Sequence, residues 1–341
     1  MHAAMKSALE KLVDRGDLSQ GEAEAAVSAI MDGECEGVEI AAFLTALRVK
    51  GEAIDELVGA ARAMRGRAAS IPTDRIELLD TCGTGGDKLH TFNISTVTAL
   101  VAAAAGISVA KHGNRSVSSS SGSADVLESL GVNVQLAPES VGQCLDSVGI
   151  GFCFAPLFHG AMKHAAPIRK QLGFRTIFNL LGPLCNPARA NYQLLGANTI
   201  ENAEMIAGAL GQLGIERATV VCGNGELDEV SLWGETTVFS VTGNSVARSS
   251  WSAESFGLAE CEVDQLTVSS AAESAAVING VLGGASGAAT DIVIANSAAA
   301  ILTAGRADNL VDAASIARDT IESGKAANLL QDLVSRTGTG S

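Results

Sequence analysis

Short β-prone runs, each spilling into a polar or glycine-rich loop and then an apolar helical stretch, recur along this chain and leave few folds open to it. Glu77-Leu78-Leu79-Asp80-Thr81 runs into Gly83-Thr84-Gly85-Gly86, and Ser95 to Ala105 follows with helical spacing. Ile107-Ser108-Val109-Ala110 runs into the loop from Lys111 to Gly122, and Ala124 to Leu130 makes the next helix. Gly151 to Ala155 and Ala218 to Cys222 read as a third and a fourth strand, and the stretch from 235 to Val241 is strand-like. Such units predict a mostly parallel sheet with right-handed crossovers. Ligands of such sheets lie at the carboxyl ends of the strands, and each polar loop named here leaves such an end.

The first 70 residues have a different texture. Ser7 to Val13, Gly37 to Arg48 and Ile54 to Met64 all carry apolar residues at helical spacing. Ser19 with Glu22 forms a capping box ahead of Ala23-Glu24-Ala25-Ala26-Val27. No β-rich run interrupts them, and the change comes near Ser70-Ile71-Pro72. The expected architecture is α/β: a small all-helical domain over 1–70, and a larger α/β domain over 71–341 with a mostly parallel central sheet. Arg336 to Ser341 reads as a frayed tail.

Composition narrows the class of function. The 341 residues carry 23 Lys+Arg against 38 Asp+Glu, a net charge of −15, which argues against non-specific binding to nucleic acid or anionic membrane. Apolar residues make up 47%, enough to build a core and exclude wholesale disorder. No segment reaches the roughly 18–20 uninterrupted apolar residues that span a bilayer. The seven cysteines are scattered with no CxxC pair, so neither a disulfide framework nor a zinc site is indicated, and the cytoplasm is the expected compartment.

Five constellations carry candidate chemistry. The turn Gly83-Thr84-Gly85-Gly86-Asp87 offers backbone N–H groups to a phosphate, or is an ordinary tight turn. Asn93-Ile94-Ser95-Thr96 either caps a helix or aims donors at an anion near the helix dipole. Lys111 to Ser123 holds two cations, a histidine, an asparagine and six serines, a density of anion donors unusual for a linker. Asp228-Glu229 is either an exposed acidic pair or a Mg²⁺ site. Arg169 could pair a ligand carboxylate bidentately or sit on a solvated helix face.

Taken in order and spacing, these stretches resemble the anthranilate phosphoribosyltransferase family. The resemblance rests on Gly83-Thr84-Gly85-Gly86-Asp87, Phe92-Asn93-Ile94-Ser95-Thr96, Lys111-His112-Gly113-Asn114-Arg115, Ser121 to Glu128, Arg175 to Pro183 and Leu227-Asp228-Glu229. It implies that Gly83, Gly86, Asp87, Thr91, Asn93, Ile94, Ser95 and Thr96 hold phosphoribosyl diphosphate. Lys111, His112, Gly113, Asn114, Arg115, Ser116, Val117, Ser118, Ser119 and Ser123 complete that pocket. It further implies that Gly83, Asn114 and Arg169 hold anthranilate, that Ser95, Asp228 and Glu229 position Mg²⁺, that Gly182-Pro183 forms a hinge, and that the protein is a homodimer. Helices from about 160 to 185 would join the two domains.

The implied reaction moves a 5-phosphoribosyl group to the amine of anthranilate and releases diphosphate, through an oxocarbenium-like transition state. An aromatic amine is unprotonated at neutral pH, so no residue is assigned as catalytic base; His112 stands as the candidate proton acceptor, with positioning as its alternative role. The chain departs from the family pattern at Lys88-Leu89-His90, where a small, glycine-containing stretch is common, and at Gly160, Glu226 and Thr290, where Pro, Gly and Arg are common. Two rival readings share the fold: a pyrimidine nucleoside phosphorylase, whose Lys-x-Ser-x-Gly-Gly signature is absent here, and a relative without transferase activity that binds nucleic acid.

Overall fold

Four helices open the chain: α1 (Ala3–Val13), α2 (Gln20–Met31), α3 (Gly37–Lys50) and α4 (Ile54–Arg65). The computed structural model describes residues 1–116 and 121–338. The capping box read from the sequence begins α2: the Glu22 carboxylate accepts the Ser19 N–H at 2.7 Å, and the Ser19 hydroxyl accepts the Glu22 N–H at 3.4 Å. Glu56 is buried at the start of α4, where its carboxylate accepts from Leu18 N–H, Ala53 N–H and Lys50 Nζ at 2.8–3.0 Å. Three donors, one of them a cation, make its burial tolerable.

The α/β region holds one seven-stranded sheet: β1 (Leu78–Gly83), β2 (Ser108–Gly113), β3 (Ile150–Phe154), β4 (Tyr192–Gly196), β5 (Arg217–Gly223), β6 (Thr236–Thr242) and β7 (Ser245–Trp251). Their spatial order is β3-β2-β1-β4-β5-β6-β7. The first five are parallel, and β6 and β7 are added antiparallel. Between the strands run α5 (Ile94–Ala104), α6 (Ser123–Ser129), α7 (Pro138–Val148), the short α8 (Ala155–Phe158), α9 (Ala166–Leu172) and α10 (Phe178–Leu181), then α11 (Ile200–Gln212); α12 (Ala271–Leu282), α13 (Ala288–Thr303), α14 (Leu310–Glu322) and α15 (Lys325–Gly338) follow. The tail expected to fray from Arg336 remains helical to Gly338.

Two large cores flank this sheet. One gathers α5 and α12–α15. The other joins the four N-terminal helices to α11, β5 and the connector residues Ala165, Ile177, Phe178, Leu181 and Cys185. Five cysteines are buried and two partly buried, all free. No helix among the described residues is long and apolar enough to cross a membrane.

The chain builds strands outward from β1 to β2 and β3, then returns to the other side of β1 with β4 and β5. The order reverses between β1 and β4, so the loops after these two strands diverge and leave a crevice at their carboxyl ends. Gly83 and Gly196 are register partners at that end.

Helices α2 and α4 cross where Gly59 has no side chain: a Cβ there would lie 2.2 Å from the Gln20 carbonyl oxygen. Gly59→Ala should therefore lower stability by about 1–3 kcal/mol, the usual cost of overpacking, as read by urea unfolding. A midpoint equal to that of the unaltered protein would contradict this backbone-to-backbone crossing.

Candidate active site at the reversal of strand order

Beyond β5 the chain folds back on itself: Gly223 and Leu227 exchange two backbone hydrogen bonds of 2.8 Å. This tight return delivers Asp228 and Glu229 into the crevice. Asp228 fits because two glycines leave room for it. A Cβ on Gly83 would lie 2.3 Å from Asp228 Oδ2, and one on Gly196 would lie 1.6 Å from the Asp228 carbonyl oxygen. The Gly85 N–H donates to Asp228 Oδ2 at 2.6 Å, and the Thr84 N–H donates to the Gly196 carbonyl at 2.9 Å. Gly85 and Gly86 both take positive φ, 69° and 77°, which turns the loop over the strand ends.

Glu229 accepts the N–H of Ser95, in the first turn of α5, where the helix dipole favours negative charge. Burial and the neighbouring Asp87 push the Asp228 carboxyl up to about 7, against the pull of the Gly85 N–H. Burial and Asp228 push Glu229 well above the usual carboxylate range, partly offset by Lys111. Neither carboxylate forms an ion pair with a described lysine or arginine. Burial and mutual repulsion favour a proton on such carboxylates, and a divalent cation in its place would relieve the same strain. An all-oxygen donor set of two carboxylates and the Ser95 hydroxyl suits Mg²⁺, which keeps most of its waters or takes phosphate oxygens. No cluster of three or more His, Cys, Asp or Glu side chains arranged for a metal occurs among the described residues, so a closed structural metal cage is not present there.

Behind the crevice, Lys111 at the end of β2 is buried. Its Nζ donates to the Thr81 carbonyl at 2.6 Å and to Ser95 Oγ at 3.3 Å. Burial pushes its ammonium down, and Asp80 pulls it back up. Asp80, fully buried in β1, accepts the His112 N–H at 3.0 Å. Lys111 thus braces β1 against α5 from inside instead of extending toward solvent.

Asn93 stands at the N-cap position of α5 without a side-chain bond to the helix backbone; the Thr96 hydroxyl donates to its Oδ1, and its own N–H donates to Ser274 Oγ at 2.9 Å. Ile94 and Thr96 are buried, and Thr91 bridges to Thr267, so this stretch fixes the loop's far end. Gly113 lies against Ser123 Oγ, which donates to the Asn114 carbonyl at 3.3 Å. Asp125 accepts the N–H groups of both Ser116 and Gly122, stapling the two ends of the serine-rich loop. Val117, Ser118 and Ser119 lie outside the described residues. Arg115, expected to face phosphate, is bound to Asp125 and Glu128 at 2.7–2.8 Å and lies over the Phe154 ring. Lys88 and His90 are exposed and adopt left-handed φ values of 65° and 58°, so the loop keeps a glycine-like path without glycine.

On the connector side, Arg169 stands on α9 half-buried, 5.2 Å from the Phe178 ring centroid, with no ion pair to a described carboxylate. Burial pushes its guanidinium down. Gly182 is helical, and its carbonyl accepts from the His112 ring. Sequence reasoning missed His159. Its ring lies 5.2 Å from that of His112, and its side chain bonds the Cys185 carbonyl. Nε2 of each histidine is buried with no hydrogen-bond partner among the described residues.

Burial, then the nearby His159, pushes the His112 imidazole down to about 3. The unfolded chain takes up this proton below about 6.5, whereas the native state does not until near 3. Stability should therefore fall as pH drops through this window. His112→Asn should remove about 2 kcal/mol of the loss measured between pH 6.5 and 4.5 by urea unfolding. An unchanged pH slope would show that His112 is not held neutral.

Residues 6–68 match the helical bundle domain of a glycosyl transferase family, and residues 75–327 match that family's a/b domain. An anthranilate phosphoribosyltransferase of Moorella thermoacetica is 48% identical over 330 residues, 97% of each chain. The crystal structure of the Thermus thermophilus anthranilate phosphoribosyltransferase superposes with a TM-score of 0.92 at 40% identity, covering 97% of this chain and 99% of that one. The Saccharomyces cerevisiae enzyme in complex with PRPP and Mg superposes with a TM-score of 0.91 at 28% identity over 99% of both chains. With identities this high over nearly its whole length, the chain belongs to the anthranilate phosphoribosyltransferase family.

Proposed function

We propose that this protein transfers the 5-phosphoribosyl group of phosphoribosyl diphosphate to the amine of anthranilate, giving N-(5-phospho-β-D-ribosyl)anthranilate and diphosphate in tryptophan biosynthesis. The observation that carries this reading is the seating of Asp228 and Glu229 at the reversal of strand order, between the glycine turn and the first turn of α5. An anionic donor needs amide donors and a neutralising cation at one place, and this crevice supplies the first and the carboxylates for the second.

In this reading the turn Gly83–Asp87 and the start of α5 bind the donor through N–H groups and the Ser95 and Thr96 region. Asp228, Glu229 and Ser95 hold Mg²⁺, which when bound supplies charge neutralisation for the diphosphate leaving group. Arg169, with Asn114 and Gly83, receives the anthranilate carboxylate and points the amine at the anomeric carbon. The C1–O bond to diphosphate breaks as the N–C1 bond forms, and the amine proton leaves to solvent, with His112 either its first acceptor or a positioning group. The helical region over 1–70 and the connector near 160–185 close over the crevice about Gly182-Pro183 and exclude water, which would otherwise hydrolyse the donor. The same reading makes the protein a cytoplasmic homodimer. The rival nucleic-acid reading fits poorly with a net charge of −15.

Loss of anthranilate fluorescence in the presence of donor and Mg²⁺ tests the activity directly; no consumption, together with retention of DNA on a gel, would favour the nucleic-acid reading. Arg169→Ala should raise the KM for anthranilate about tenfold or more while leaving that for the donor within about twofold. The opposite selectivity would remove Arg169 from the acceptor site. In the Asp228→Ala/Glu229→Ala double variant, the Mg²⁺-dependent part of the rate should disappear. A retained Mg²⁺ titration curve would place the metal elsewhere.

A further inference from the structure

The cations that sequence reasoning directs at the donor are mostly engaged elsewhere. Lys111 is buried with its Nζ held by Thr81 and Ser95. Arg115 is clamped between Asp125 and Glu128. Lys88 is exposed on the loop, but no hydrogen bond fixes its ammonium among the described residues. One further cation touches the glycine turn. Arg175 follows α9 by three residues, beyond Gly173, whose φ of 68° ends that helix in the left-handed region. Its Nη2 donates to the Gly86 carbonyl at 2.9 Å, 89 residues away in sequence. Asn198 Nδ2 donates to the same carbonyl at 3.3 Å. The guanidinium lies directly on the turn: a Cβ on Gly86 would sit 1.5 Å from Nη2.

Arg175 is exposed and forms no ion pair with a described carboxylate. A guanidinium carries five N–H donors in a rigid fork. One engages Gly86, which leaves the rest of the fork and its full charge at the surface of the turn. In a chain of net charge −15, an anchored cation without an acidic partner is placed for an anionic ligand.

We propose that Arg175 is a donor-binding residue: anchored on the Gly86 carbonyl, its guanidinium contacts the diphosphate of the donor. Because it stands on the same connector as Arg169, it also ties the acceptor side of the crevice to the donor turn. This rests on the phosphoribosyl diphosphate reading given above.

The test separates charge from anchoring. Arg175→Gln keeps an N–H donor for Gly86 but removes the charge; Arg175→Lys keeps the charge. Binding of inorganic diphosphate with Mg²⁺ is measured by calorimetry at several salt concentrations, alongside KM for both substrates. Arg175→Gln should weaken diphosphate binding and raise donor KM about tenfold. It should flatten the dependence of binding on salt and leave the anthranilate KM within about twofold. Arg175→Lys should recover most of the affinity. Diphosphate binding and donor KM within about twofold of the unaltered protein in Arg175→Gln, with salt dependence unchanged, would overturn the proposal and leave Arg175 as a clip on the turn. If the unaltered protein binds diphosphate but does not consume anthranilate, the transferase reading fails while the Arg175 result stands. If it consumes anthranilate and Arg175→Gln is unaffected, this inference alone fails.

Discussion

The site depends on one close approach: the backbone and carboxylate of Asp228 pressed against the paired glycines at the ends of β1 and β4. Gly83 and Gly196 are register partners, and any side chain on either would strike Asp228. The fold makes the crevice by reversing strand order, but the missing side chains decide that a carboxylate can enter it. Once there, Asp228 draws in the Gly85 N–H and orders the turn, while Glu229 settles on the first turn of α5. Both carboxylates are then without an ion-paired cation among the described residues, which suits them, in the proposed function, to a divalent cation.

That arrangement resolves the tension between a net charge of −15 and an anionic ligand. The general surface repels anions, whereas the crevice offers backbone N–H groups, a helix start and a carboxylate pair that, in the proposed function, would hold a metal. Lys111 contributes from behind, bracing Thr81 and Ser95, so the two loops lining the crevice are locked to one another. The connector reaches the same place from the other side, through Arg175 on Gly86 and through Gly182 on His112.

Much of this was legible in the sequence, because β1, β2, β3 and β5 each join an apolar run to an unusual loop. The capping box at Ser19 and the acidic pair were legible for the same reason: short motifs whose chemistry is local. Two strands were not. β4 (Tyr192–Gly196) is five residues with no distinctive loop signal before it, and its pairing with β1 is a long-range choice. β7 (Ser245–Trp251) is almost wholly exposed and polar, so no apolar alternation marks it; pairing with β6 creates it. Side-chain engagement was harder still. Nothing in Lys111 to Ser123 says that Arg115 would turn to Asp125 and Glu128, and nothing in the motif around Phe158 says that His159 would meet His112. Those outcomes depend on which segments the sheet order brings together.

The most direct measurement is a crystal structure with Mg²⁺ and phosphoribosyl diphosphate bound. The account predicts the diphosphate against the Gly83–Asp87 turn and the start of α5, with the metal at Asp228 and Glu229. Density for the diphosphate in the cavity of about 380 Å³ lined by Gln265, Gly280 and Ser286 between α12 and α13, with Asp228 and Glu229 free of metal, would contradict it.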